Sequence, residues 1–117
     1  MVSVPSLMIS KHLTTIIAAF LKATAPNDTL SASLADINTA IAVNLTSAFA
    51  AAQEAVAGFE KLPADVPRSF IYTGNCLNIK PMPPLLSLGM PKAGAAHMIH
   101  SAAISYTEKG YQLVLHR

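Results

Sequence analysis

Charge is scarce in this chain: 12% of its 117 residues are charged, with eight Lys and Arg against six Asp and Glu. The basic residues stand singly, so no stripe of them can neutralise a run of phosphates, and no nucleic-acid partner is expected. A single cysteine, Cys76, rules out an internal disulfide framework and points to a reducing, cytoplasmic setting. Long apolar runs are also missing. The one near the start, Leu13 to Leu21 (LTTIIAAFL), is roughly half of the ~20 residues that a bilayer crossing needs, so no membrane partner is expected. The opening MVSVPSLMIS, followed by Lys11 and His12, lacks the apolar middle of a secretory leader, and residues 1–12 read as irregular. Without such a leader, the glycosylation-type triplets Asn27-Asp28-Thr29 and Asn44-Leu45-Thr46 mean little.

Apolar side chains are plentiful, at 52% of the chain. Residues 1–117 are enough for one small domain with much surface to bury. Leu13 to Leu21 mixes Thr and Ile with no helical period and reads as a strand, and KATAPNDT after it is turn chemistry. Ser33 with Asp36 three residues later is an N-cap with a carboxylate in the first turn. Ile37, Ile41, Leu45, Ala48, Phe49, Ala52, Val56 and Phe59 then recur at three and four, which predicts one long helix to about Lys61. The prolines of LPADVPR forbid a helix there. Ser69 to Thr73 (SFIYT) reads as a buried strand, Gly74 to Ser87 as a proline-stiffened loop, and Leu88 to Glu108 as a second long helix stopped at Gly110. YQLVLH, 111–116, is a third strand.

The order β-α-β-α-β implies an α/β fold with a parallel sheet joined by right-handed crossovers. With the strands side by side in chain order, both long helices fall on one face and the other face is bare. Parallel sheets are normally covered on both sides, so this is a partial Rossmann-like sheet.

Lys92 is unusual in so uncharged a setting, just inside the start of an apolar helix. The run IAVNLTSAFAAAQEAV (41–56), then SFIYTGN, then Pro81 and Pro83, then LGMPKAGAAHMI (88–99) resembles the C-terminal half of a short-chain dehydrogenase/reductase, in a fungal branch carrying YTGN and LGxxK. The likeness covers roughly residues 22–117. In that family a helix Asn, a Ser after the next strand, and a Tyr four residues before a Lys share the catalytic work. The Lys amine holds the nicotinamide ribose and makes the Tyr phenol more acidic.

Carried over by position, the resemblance makes Asn44, Asn75 and Lys92 the catalytic candidates, and Lys92, Asn44, Thr73 and Gly74 the cofactor-binding ones. The Tyr position falls on Leu88, which cannot move a proton, and the Ser position falls on Asn75, which can only hydrogen-bond a carbonyl. A relay from Asn44 through water to Lys92 is then the available route, with Tyr72 and Thr73 as neighbouring hydroxyls. Tyr72 is expected to be packed, and Lys80 to be a solvated loop charge. The family's glycine-rich phosphate turn is absent from this sequence.

The resemblance therefore implies an NAD- or NADP-dependent oxidoreductase acting on a small carbonyl or alcohol substrate, of the kind found in fungal secondary metabolism, in a truncated form. It also implies a homo-oligomer built through helices 34–61 and 88–108. The alternative is a non-catalytic half-domain that pairs with a homologue through those helices. His97 and His100 share a helix face, but no third ligand stands at a suitable spacing, so no metal is expected.

Overall fold

A computed structural model describes residues 20–74 and 76–116. Ser33 caps the first long helix, its hydroxyl accepting the Asp36 N–H at 3.1 Å. The helix runs as α1 (Leu34–Ile41), a wide π-helical turn (Ala42–Thr46) and α2 (Ser47–Phe59). After the proline loop come β1 (Ser69–Thr73), two short 3₁₀ turns (Cys76–Asn78 and Pro83–Leu85), α3 (Leu86–Ser105), a last 3₁₀ turn (Thr107–Lys109) and β2 (Gln112–His116).

β1 and β2 are parallel neighbours, with Phe70 opposite Leu113 and Tyr72 opposite Leu115. These four side chains share one face and pack with α2 and α3, around a core of Phe59, Ile99, Tyr111 and Leu113. The Phe59 and Tyr111 rings meet edge-on at 5.2 Å. On the opposite face Ile71 and Val114 are exposed, at 60% and 45%. The parallel pairing, the helices on one face and the bare second face agree with the sequence expectation for the described strands.

The third expected strand, Leu13 to Leu21, lies outside the described residues up to position 19. Phe20 and Leu21 are described and are not strand. Both backbone groups of Phe20 are engaged by the Asn44 side chain instead of by a neighbouring strand.

The long helix departs from a plain α-helix at its centre. Asn44 Nδ2 donates to the Ala40 carbonyl, and the Ser47 hydroxyl donates to the Val43 carbonyl. Such bonds back to carbonyls four residues earlier compete with the helix's own ladder. Here the ladder widens, and the Ser47 N–H reaches the Ala42 carbonyl instead.

α3 begins two residues earlier than the predicted start and ends at Ser105 rather than Glu108. Lys92 therefore lies roughly two turns inside the helix, not one. Pro91 precedes it, buried. A proline has no N–H for the carbonyl four residues back, that of Ser87. The Ser87 side chain is itself buried and donates to the Lys22 carbonyl at 3.1 Å, tying segment 20–24 to the start of α3.

The chain stops its last turn where the sequence placed the signal. Gly110 adopts φ 72°, and a Cβ there would lie 3.2 Å from Arg68 Nη2. Gly110→Ala is expected to cost about 1–2 kcal/mol from the left-handed backbone, read as a lower urea midpoint with an unchanged slope.

Leu34–Phe59 is, by length and composition, apolar enough to cross a membrane. Its start is capped by Ser33, its Asn44 amide is bonded to residue 20, and it packs on α3 and β1.

Candidate functional site

The site lies where β1 ends, between the wide turn and α3. α3 crosses the wide turn closely at Gly94: a Cβ at this position would come within 3.0 Å of Leu45 Cδ2. This approach places the next-but-one residue back, Lys92, beside the end of β1. Its Nζ donates to the Thr73 carbonyl at 3.3 Å and stands 4.9 Å from the centroid of the Tyr72 ring. The Tyr72 hydroxyl in turn donates to the Asn44 backbone carbonyl at 3.4 Å. Tyr72 thus links the two residues that the sequence singled out.

Asn44 is 3% exposed. Its Nδ2 donates to Phe20 O at 2.8 Å and to Ala40 O at 2.9 Å, and its Oδ1 accepts the Phe20 N–H at 3.3 Å. Every strong donor and acceptor of this amide is directed to backbone. It fastens residue 20 to the helix, and what it offers the site is its main-chain carbonyl.

Thr73 is exposed and contributes its carbonyl. Gly74 donates its N–H to His116 O at 2.7 Å, and a Cβ on it would meet Leu115 Cδ1 at 3.1 Å. Its backbone serves the strand pair and not an incoming group. Asn75 lies outside the described residues. Leu88 is half-buried, and Lys80 is exposed. The side chain that sequence reasoning set aside is Tyr72. It is packed as expected, lying against the core, but the same ring also meets Lys92. Its placement two residues before the Gly of YTGN was the available signal.

These features can be tested against a nicotinamide nucleotide. An ammonium group has three N–H donors, and one is taken by Thr73. Two remain for the vicinal hydroxyls of a ribose, at the C-terminal end of a parallel strand where α/β folds bind ligands. The fit stops there. Among the described residues no glycine turn opens a helix to receive a pyrophosphate, and Gly74 is already packed. A shallow cleft of about 480 Å³ lined by Lys22, Thr24, Ser33 and Asp36 contains none of the predicted site residues. His97 and His100 are both exposed, and no group of three metal-ligating side chains occurs among the described residues.

Comparison with known proteins carries the reading further. No family model matches the chain. It is 41% identical over 101 residues to the short-chain dehydrogenase/reductase dmxR12 of Cryptosporiopsis sp. (strain 8999), a match covering 86% of this chain and 41% of that protein. The chain belongs to the short-chain dehydrogenase/reductase family. It spans about two fifths of the length of this relative.

Proposed function

We propose that this chain forms the nicotinamide end of an NAD(P)-dependent oxidoreductase site for a carbonyl or alcohol substrate. The observation that supports it most directly is the Lys92 amine at the C-terminal end of β1, paired with a carbonyl and a ring rather than with a carboxylate. A bound nicotinamide nucleotide would supply the hydride. Lys92 would hold its ribose hydroxyls, and the Thr73 carbonyl would orient the amine. Asn44 would hold the helix that forms one wall of the site. Reduction of a carbonyl also requires a proton on its oxygen, and with Leu88 at the phenol position the acid at hand is the Lys92 ammonium, directly or through water.

Charge-assisted hydrogen bonds contribute about 1.5–3 kcal/mol each. The unaltered chain is expected to enhance the emission of bound NADPH, and Lys92→Met to weaken that binding about 10- to 100-fold, seen as loss of the enhancement. Unchanged emission on substitution would refute the assignment.

A second reading is favoured by a specific feature of the helix layer. Leu34, Phe49 and Ile104 are exposed at 80%, 49% and 79%, so α1, α2 and α3 present apolar side chains outward. A partner of the same family, including a second copy of this chain, could cover them by helix-to-helix pairing. Sedimentation would show an assembly that Ile104→Lys dissociates.

A further inference from the structure

A lysine side chain has four rotatable bonds, and fixing it costs rotamer freedom. The usual anchor is a carboxylate. The ion pairs among the described residues are Lys22 with Asp36 and Lys109 with Glu60, and neither includes Lys92. Its amine is placed by two uncharged groups from β1: the Thr73 carbonyl at 3.3 Å and the face of the Tyr72 ring at 4.9 Å. These attract the cation without neutralising it. The ring is itself tethered, since its hydroxyl donates to the Asn44 carbonyl in the wide turn.

We propose that Tyr72 is a positioning residue: its ring face fixes the Lys92 amine at the end of β1, and its hydroxyl ties that arrangement to the Asn44 turn. Only the use made of the amine rests on the nucleotide reading; where the amine is held does not.

Two N–H groups stay free for a diol. Losing the ring removes a contact worth about 0.5–1 kcal/mol, equivalent to roughly 2- to 5-fold in affinity.

The test is NMR of the intact chain produced with ε-¹³C-lysine, which leaves the amines unmodified, followed through the lysine ε-methylene signals. A ring face shields what lies over it. The signal that disappears in Lys92→Arg is expected upfield of the signal of exposed Lys80. Tyr72→Phe, which keeps the ring, should keep that shift. Tyr72→Leu should return the signal to the Lys80 position and weaken NADPH binding 2- to 5-fold. The measurement on the unaltered chain needs no substitution at Tyr72, so a variant that failed to fold would not leave the proposal untested. Coincident Lys92 and Lys80 signals in the unaltered chain, or a shift that survives Tyr72→Leu, would overturn it. A ring-shifted Lys92 that never responds to NADPH would support the placement by Tyr72 and refute the nucleotide reading.

Discussion

Ile99→Ala is expected to lower the unfolding free energy by about 2–5 kcal/mol. Ile99 is fully buried, at 0% exposure, between Phe59, Tyr111 and Leu113, so truncation leaves a void bordered by both the helix layer and β2. A domain of this size has about 5–15 kcal/mol in total, so the loss should lower its urea midpoint by a large fraction. Near-ultraviolet circular dichroism should report it directly, because Tyr111 and Tyr106, 5.7 Å apart, lie at that cluster. Ile104→Ala, in the same helix but 79% exposed, should change stability by less than about 0.5 kcal/mol. Equal effects at the two positions would show that the helix packs by a different face.

Asn44→Ala is expected to cost about 1–3 kcal/mol by a different route. The substitution removes three hydrogen bonds and leaves the Phe20 N–H and C=O without their partner. The Ala40 carbonyl can take up the ordinary helical bond, so the wide turn should relax to α-helix while segment 20–24 loosens. Amide exchange at Phe20 should accelerate as the unfolding midpoint falls. Asn44→Asp should be worse than alanine, since it removes both donors and places a charge at a site only 3% exposed. A milder effect for Asp than for Ala would mean that residue 44 faces water.

Much of the layer order could be read from the sequence because its signals are local. Ser33 and Asp36 mark a start, SFIYT has the length and composition of a short strand, and Gly110 marks a stop. The same periodicity captured only part of the buried side of the long helix, where Ala52 and Phe59 of the stripe are buried. The apolar stripe includes Phe49, which is 49% exposed, whereas Ala40 and Ala51 off that stripe are buried. A hydropathy pattern also contains no account of an amide bonding backwards, as Asn44 does in the wide turn at Ala42–Thr46.

The resemblance singled out Lys92 and Asn44, but not what connects them. The Asn44 carbonyl, the Tyr72 ring with the neighbouring Thr73 carbonyl, and the Lys92 amine come from three segments far apart in sequence. Nothing in the spacing of one segment reveals that contact. The close approach that creates it depends on Gly94 meeting Leu45 across two helices.

The central claim is that the Lys92 amine marks the nicotinamide end of a nucleotide site, with no pyrophosphate cradle among the described residues. It is tested most directly by dividing the nucleotide into its halves. Titration of the ε-¹³C-lysine chain, its amines unmodified, with reduced nicotinamide mononucleotide should move the Lys92 signal, and adenosine 2′,5′-bisphosphate should leave it unmoved. A Lys92 signal that responds to the adenosine half alone, or to neither half, would contradict the account.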